Sequence, residues 1–524
     1  PDSVEGGLSG DIEGGSLGYA RGAAIGEMDE GQSRLFLDAS GERSDGWVPV
    51  IQGRGAVDRP LTLSDFSAGE RLEYDLGDDE VLTERIAAYQ EDRGAGTLFA
   101  RSEAQGAQAS LALVRQPATG SLGWRIQGWV TGSNLVNTSA AVSLNRNAAT
   151  LADDEFATPA IGVGFNAAVR GAQGGAFWEL GVDARNYDGV ARDLLYNQGV
   201  PTGEREGGGW QWIAGAYAEG SRRFGPFLAA AGVRLDGWEN YDSSLVQTGT
   251  GPLDEHPANR GGLVPSGRVG LRYDLSPSLY LRTAAYSGFR PATLNELHRS
   301  FRVRNDVTES NADLSPERLY GAEAGLGGEG RIVWDADVFY NRLVDAVTNV
   351  TVGHGPGLFP LAGFVPAGGT LFERENAGSI EAYGVEGDGD VGLSPSLDLR
   401  AAFAYTHARV QGGSQAPQLT GLRPAETPTT VVTADLVWRA VSRPTLTGRL
   451  RYQSDAFDDD EDTRRIEGGT EVDARAEWRV RRDLSAFVAA DNLLDVRLQT
   501  GRSAVGVVTY GPPLILRAGL DFRR

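Results

Sequence analysis

The chain has 524 residues, of which 40% are hydrophobic and 72 are glycine, and its formal net charge is -22. It contains no run of about 18 apolar residues, which excludes a helical membrane protein, and its acidity argues against a nucleic-acid partner because phosphates require a basic surface. Cysteine is absent, which excludes a disulfide framework and a thiolate metal site.

The strongest pattern is an alternation of apolar and polar residues with period 2, which predicts β-strands. In residues 331–341 one face consists of Ile332, Trp334, Ala336, Val338 and Tyr340. The opposite face consists of Arg331, Asp335, Asp337 and Asn341. Such runs reach about 10 residues, which is typical of tilted membrane strands, whereas soluble sandwich strands have about 5 or 6. We interpret the apolar face as lipid-facing, with Trp334 near the membrane midplane.

The alternation divides the chain into about 22 strands, separated by segments rich in turn residues. In chain order, the predicted strands are 4–12, 17–26, 33–43, 66–76, 80–91, 107–116, 121–133, 160–170, 174–185, 209–223, 226–239, 263–275, 278–288, 315–327, 330–346, 377–391, 396–410, 428–440, 444–456, 469–481, 483–495 and 512–523.

The joints between these strands alternate in length. Short joints, such as "GDD", "PATG" and "LSPS", follow the even strands, and most of the long joints follow the odd strands. Short turns on one rim and long loops on the other are typical of outer-membrane barrels. The predicted fold class is therefore all-β: a transmembrane antiparallel β-barrel of about 22 strands, with short periplasmic turns and long extracellular loops. Residues 1–524 are predicted to form this single domain.

Five segments resemble the barrel of a TonB-dependent outer-membrane receptor. They are "SDGWVPV" (44–50), "GFRPATLNEL" (288–297), "NADLSPERLYGAEAG" (311–325), "ENAGSIEAYGVEGD" (375–388) and "DNLLDVR" (491–497). The resemblance implies a Gram-negative outer-membrane protein that imports a scarce nutrient, powered by the TonB complex. The nutrient would be a siderophore, a cobalamin-like cofactor or an oligosaccharide.

Receptors of this family normally carry a plug domain and a TonB-binding segment before the first strand. Neither is seen here, since residues 1–5 lead into the first predicted strand. The lumen of 22 strands is too wide for its own side chains to fill. We expect a plug to be a preceding segment of a longer protein or a separate, reassociating chain, and it would contact TonB. A diffusion channel without a plug is the alternative.

The predicted loop between the thirteenth and fourteenth strands lacks a sustained apolar period and is expected to be irregular. It holds the densest basic cluster, Arg290, Arg299, Arg302 and Arg304. Guanidinium groups pair carboxylate or phosphate oxygens in a bidentate manner, so these arginines are candidate contacts for an anionic ligand. The alternative is that they neutralise nearby Asp306 and Glu309.

His298 stands between two sequences that resemble the F-R-A-P and N-P-N-L boxes of haem receptors. They begin at Phe289 and Asn311. The resemblance implies a haem receptor with His298 as the axial ligand, which we keep as an alternative function. The other interpretation is that His298 is a solvated loop residue. No Ser-His or Asp-His pair stands out among the four histidines, so an enzyme is not predicted.

Two further groups of loop residues are candidate ligand contacts. Aromatic residues that could stack on a ring-shaped nutrient, or belong to an interfacial girdle, are Trp47, Tyr187, Tyr196, Trp238 and Tyr241. A run of acidic residues could bind calcium, which favours carboxylate oxygens, or form a solvated tip. Its carboxylates of interest are Asp458, Asp459, Asp460 and Asp462. No cofactor is predicted, and calcium in these extracellular loops is the one alternative.

Overall fold

The computed structural model describes residues 7–116, 122–439 and 444–524. Its strands, in chain order, are β1 (Leu8–Gly15), β2 (Ala20–Glu30), β3 (Ser33–Ser44), β4 (Leu63–Gly77), β5 (Glu80–Gly94), β6 (Arg101–Arg115), β7 (Gly123–Val142), β8 (Ala149–Ala157), β9 (Ala160–Gln173), β10 (Ala176–Asn197), β11 (Val200–Phe224), β12 (Phe227–Gln247), β13 (Leu253–Glu255), β14 (Arg260–Ser276), β15 (Leu279–Arg290), β16 (Phe301–Val303), β17 (Asp306–Glu309), β18 (Glu317–Gly328), β19 (Ile332–Val344), β20 (Val347–His354), β21 (Gly357–Phe359), β22 (Gly363–Val365), β23 (Thr370–Asn376), β24 (Ser379–Ser394), β25 (Leu397–Gln411), β26 (Thr430–Arg439), β27 (Thr445–Gln453), β28 (Ala456–Phe457), β29 (Arg465–Ile466), β30 (Gly469–Arg479), β31 (Leu484–Asp491), β32 (Gln499–Arg502), β33 (Val508–Tyr510) and β34 (Ile515–Arg523).

Helix is confined to α1 (Leu294–His298) and one 3-10 turn (Pro417–Leu419) among the described residues. Within those residues, no helix has the length and hydropathy needed to cross a membrane.

A single antiparallel sheet closes on itself as a barrel of 22 strands. The first strand pairs with the last, with Ile12 opposite Leu520. The strands β8 and β13 join the same sheet beyond the ring, at the outer ends of β7, β10 and β12. The predicted fold class is confirmed, and each predicted barrel strand overlaps an observed one. Parts of three predicted strands (4–6, 121 and 440) and the "PATG" joint lie outside the described residues.

The two faces of the barrel wall have opposite chemistry, as the alternation predicts. On the outward face of β19, Val338 and Tyr340 are 57% and 46% exposed. On its inward face, Asp337 is buried and accepts a hydrogen bond of 2.9 Å from Nε of Arg282 on β15. Apolar side chains therefore face lipid and ion pairs line the lumen.

Outward-facing aromatic residues form two girdles, as expected at the two membrane interfaces. The girdle near the short turns includes Tyr74, Trp124, Trp178, Tyr273, Trp334, Trp478 and Phe522, and the girdle near the long loops includes Tyr320, Tyr340, Tyr383, Tyr405 and Tyr452. The expectation that Trp334 lies near the midplane is wrong. Trp334 is opposite Gly328, the last residue of β18, so it lies at the periplasmic interface.

The long loop between β15 and β18 is not irregular, which corrects the prediction. It contains α1, β16 and β17, and β17 pairs in parallel with β23 from the loop between β19 and β24. The four-stranded sheet has the order β16-β17-β23-β20. Its core is a cluster of buried residues, namely Val307, Ala362, Val365 and Leu371. We call residues 291–316 and 345–377 the cap.

The cap lies across the extracellular mouth, because it touches strands on opposite sides of the ring. On one side, Nε2 of Gln247 at the end of β12 donates to the Pro360 carbonyl at 2.9 Å. On the other side, Nη2 of Arg304 donates to Oγ1 of Thr509, in the loop before β34, at 3.0 Å. Asn305 exchanges two hydrogen bonds with the Val142 backbone at the end of β7. Luminal side chains near the mouth are therefore covered by the cap.

Candidate functional site

A cavity of about 520 Å³ lies between the cap and the inner wall of the barrel. Arg185, Tyr187, Gln211 and Ile213 contribute from β10 and β11, and Arg290, Leu294, His298 and Arg299 contribute from the end of β15 and the cap. Four predicted ligand contacts, Arg290, His298, Arg299 and Tyr187, thus share one cavity. This cavity is the candidate functional site.

The short helix α1 is held over the cavity by its capping residues. Thr293 and Glu296 form a reciprocal capping box, which satisfies backbone N–H groups that the helix leaves open. Arg290 donates to both oxygens of Glu296, at 2.7 and 2.9 Å, and to Glu317 at 2.7 Å. Nε2 of Gln211 on the barrel wall donates to the Ala292 carbonyl at 2.8 Å. The guanidinium of Arg290 is therefore structural and already neutralised.

His298 is buried rather than solvated, with 5% of its surface exposed. Its Nε2 lies 3.3 Å from Oγ of Ser243 on β12. Burial lowers the pKa of His298 to about 4, so the imidazole is neutral at physiological pH. A Ser-His contact is also part of hydrolytic sites, but no carboxylate among the described residues hydrogen-bonds to this ring to orient it.

Buried ion pairs anchor the cap beside the cavity. Nη2 of Arg299 donates to Glu155 at 2.6 Å, and Nη2 of Arg205 lies 2.9 Å from Oδ2 of Asp193. Burial and the Asp193 carboxylate raise the pKa of the neighbouring Asp153. Sequence reasoning missed these acidic residues and Arg205. Asp193 and Arg205 both lie in the predicted joint between strands 174–185 and 209–223, which the structure shows as the outer parts of β10 and β11.

Arg302 and Arg304 do not reach the cavity. Arg302 is buried in the cap, where its Nη2 donates to the Phe364 carbonyl at 2.5 Å and burial lowers its pKa to about 10. Its Nη1 lacks a hydrogen-bond partner among the described residues. Arg304 contacts Thr509 at the rim. The predicted arginine cluster therefore separates into cap anchors, with only Arg290 and Arg299 at the cavity.

Arg185 is the cavity guanidinium that the described residues leave unpaired. It is exposed to the lumen and forms no ion pair or hydrogen bond in the part of the chain that the structure describes. Tyr187 follows two residues later on the same inward face of β10. The pair offers a cation with free donors beside an aromatic ring. Sequence reasoning named Tyr187 but missed Arg185, because it lies inside a barrel strand.

The other predicted aromatic contacts lie elsewhere. Trp238 is buried in a cluster with Ile213 and Val264, of which Ile213 lines the cavity. Nε1 of Trp47 donates to the Tyr510 carbonyl at 3.1 Å. Tyr196 lies at the tip of the β10-β11 hairpin. Tyr241 faces outward and stacks on Trp210, with ring centroids 6.2 Å apart, as a girdle residue would.

The acidic run is folded against neighbouring loops rather than forming a solvated tip. Each of the four carboxylates accepts a hydrogen bond from a backbone N–H group. The donors are Arg502 for Asp458, Thr463 for Asp459, Thr351 for Asp460 and Arg423 for Asp462. Across the described ranges, no group of three or more acidic or histidine side chains is arranged to hold a metal ion. Calcium binding by these residues stays a prediction.

Comparisons with known proteins agree with this architecture. The family described as "TonB dependent receptor-like, beta-barrel" matches residues 47–493. The "Iron-regulated outer membrane virulence protein" of Vibrio cholerae serotype O1 is 27% identical over 228 residues, which is 43% of this chain and 33% of that protein. The alignment thus spans a third of the curated relative's length.

Solved structures of two receptors share the fold. The siderophore receptor PiuA from Acinetobacter baumannii has a TM-score of 0.76 at 13% identity, over 99% of this chain and 81% of that one. The ferric yersiniabactin uptake receptor FyuA from Yersinia pestis has a TM-score of 0.77 at 14% identity, over 100% of this chain and 80% of that one. At these identities the likeness establishes the fold alone.

Proposed function

The chain belongs to the TonB-dependent receptor β-barrel family of Gram-negative outer membranes, and from that premise we propose that it imports an anionic ferric siderophore. The ligand would bind at the extracellular mouth, in the cavity between the cap and the barrel wall. Passage would then follow displacement of the cap and of a plug, driven by the TonB complex.

The unpaired guanidinium of Arg185 is the observation that carries this proposal. An exposed luminal arginine with free donors is available to a ligand, and its positive charge attracts anions into the mouth. A ferric tris-catecholate is trianionic and presents aromatic rings, so Arg185 and Tyr187 would pair with its charge and stack on its rings. The Vibrio cholerae relative is described as iron-regulated, which supports an iron-containing ligand.

The plug and TonB enter the proposal as partners. A 22-stranded lumen needs a plug to prevent leakage, either as another segment of the same protein or as a separate chain. The alternative function, a diffusion channel, requires a mouth that stays open. The cap weighs against it, because its sheet is tied to both sides of the rim.

Haem import through His298 is the less favoured alternative. The neutral imidazole is the form that binds iron, but its Nε2 contacts Ser243 and its ring is buried. Coordination would require α1 to turn away from the wall. Adding haem to the purified protein distinguishes the two proposals. Haem import through His298 predicts a shift of the haem Soret band that depends on His298, and siderophore import predicts none.

We expect Arg185→Gln to weaken binding of ferric tris-catecholate by roughly ten- to a hundredfold. The reason is that a hydrogen bond to a charged group contributes about 1.5–3 kcal/mol. Tryptophan fluorescence quenching of the purified protein measures the dissociation constant.

Arg170→Gln is the matched control for Arg185→Gln. Arg170 lies on the same inward face of the wall but near the periplasmic turn of β9, where its Nη2 donates to Gln116. Its replacement should leave the affinity unchanged. Equal affinities for the wild type and Arg185→Gln, or equal losses in both variants, would contradict the proposed site.

A further inference from the structure

Three arginines lie on the outward face of the barrel, at the extracellular ends of neighbouring strands. We call Arg318 on β18, Arg342 on β19 and Arg409 on β25 the arginine patch. Arg342 is directly opposite Tyr320 and Glu381, and Glu381 is directly opposite Arg409. Directly opposite side chains share a face and lie about 5 Å apart, so the patch is contiguous.

The patch belongs to the lipid-facing surface, not to the lumen. Arg342 alternates with Val338 and Tyr340 on the exposed face of β19. Arg342 lies eight positions after Trp334 of the periplasmic girdle, which is about 20 Å of height along a tilted strand. The apolar band of an outer-membrane barrel is about 25 Å tall. The guanidiniums therefore reach the level of the outer-leaflet headgroups.

The charge of the patch is only partly balanced by the protein. Glu381 is the only acidic residue at the outward positions of β18, β19, β24 and β25, all of which lie in described ranges. Its Oε1 is 3.8 Å from Nε of Arg342, a long contact. Arg409 donates to the Ala408 carbonyl and interacts electrostatically with Asp462 of a neighbouring loop, and Arg318 is exposed and has no hydrogen bond or ion pair among the described residues. Three guanidiniums against two carboxylates, Glu381 and Asp462, leave a positive surface on a chain of charge -22.

Rings lie directly below the patch. Tyr340 is opposite Tyr383, and Tyr383 is opposite His407, with ring centroids 4.9 Å apart for the second pair. Amphipathic rings at this depth separate acyl chains from headgroups. From the membrane centre outward, the surface presents an apolar wall, a layer of rings and a layer of cations. This order matches the acyl chains, the interfacial region and the phosphate groups of a phosphorylated lipid.

We propose that the arginine patch binds the phosphate groups of a phosphorylated glycolipid in the outer leaflet. The planar guanidinium pairs two phosphate oxygens at once, and clustered basic residues at a membrane surface attract anionic headgroups. The acyl chains of the lipid pack on the band below Tyr340. The site is separate from the luminal cavity and does not depend on which nutrient the barrel carries.

Native mass spectrometry of the detergent-purified protein tests this site, with diphosphorylated lipid A as the probe. The variant R318Q/R342Q/R409Q is expected to bind at least tenfold less lipid A than the wild type. The control variant R43Q/R101Q removes two other arginines from outward positions at the extracellular ends of β3 and β6 and is expected to bind normally.

A second measurement needs no variant and compares lipid A with the same lipid after removal of its phosphates. The wild type is expected to bind the dephosphorylated lipid at least tenfold more weakly. Equal binding of the two lipids would show that only the acyl chains are recognised and would overturn the proposal. Retained binding in the triple variant, or an equal loss in the control variant, would overturn it as well.

Discussion

Replacing Ala401 with arginine is expected to block assembly of the barrel, whereas the same replacement of Ala402 is expected to leave assembly intact. Ala401 is opposite Gly389 and Ala434 on the lipid-facing side of β25, within the apolar band. An arginine in this band costs about 2–4 kcal/mol at the midplane and less toward the interfaces. Ala402 faces the lumen, beside Asp388, where a guanidinium is solvated and finds a counter-ion.

The two variants share the strand, the original residue and the new residue, so they differ only in the face that receives the charge. Heat-modifiable migration on gels, together with the amount recovered in outer membranes, measures assembly. If both variants assembled equally well or equally badly, the assignment of lipid and lumen faces would be wrong.

Replacing Arg205 with methionine is expected to free the cap locally. Arg205 pairs with Asp193, and both are at most 5% exposed. Its Nη1 also donates to the Leu361 carbonyl of the cap at 2.6 Å. Loss of one partner leaves a buried carboxylate without a counter-ion, which costs about 3–5 kcal/mol. Amide hydrogen exchange in residues 300–310 and 358–366 should accelerate more than a hundredfold.

The control for Arg205→Met is the same change combined with Asp193→Asn. The double variant has no unpaired charge, and exchange in the cap should return part of the way toward the wild-type rate. Exchange in β26 and β27, which do not contact Arg205, reports on the barrel and should not change in either variant. A cap that stays protected in Arg205→Met would show that these ion pairs do not anchor it.

The barrel could be predicted from the sequence because alternate residues of each membrane strand face different environments. The lipid accepts apolar side chains and the lumen accepts charged ones, so the alternation around Val338 and Asp337 encodes both faces. Depth is less well encoded. Trp334 has the same face as Val338, and only its position opposite Gly328 shows that it belongs to the interface.

The cap could not be predicted because its structure depends on contacts that are distant in sequence. The strand β17 pairs with β23, more than 60 residues away, and neither is long enough to show a period. Burial of His298 depends on Ser243 of a different strand. The arginines of the loop have different surroundings for the same reason. Each of them pairs with a carboxylate or carbonyl that is close in space, whatever its distance in sequence.

The luminal site was only partly predictable. The high density of arginines in the loop predicts ligand contacts there. In the structure, however, Arg290 is neutralised by Glu296 and Glu317, and Arg299 by Glu155. Arg185 could not be recognised in the same way, because a single arginine on the polar face of a strand is ordinary in a barrel lumen. Its lack of a partner among the described residues becomes visible only when neighbouring strands are placed beside it.

Uptake of radiolabelled ferric tris-catecholate by cells that produce the complete protein tests energised, ligand-gated import most directly. The account predicts accumulation that saturates with ligand, falls in Arg185→Gln and is abolished when TonB is deleted or the proton gradient is dissipated. Accumulation that is unsaturable and equal in energised and de-energised cells would identify a diffusion channel and would contradict the account.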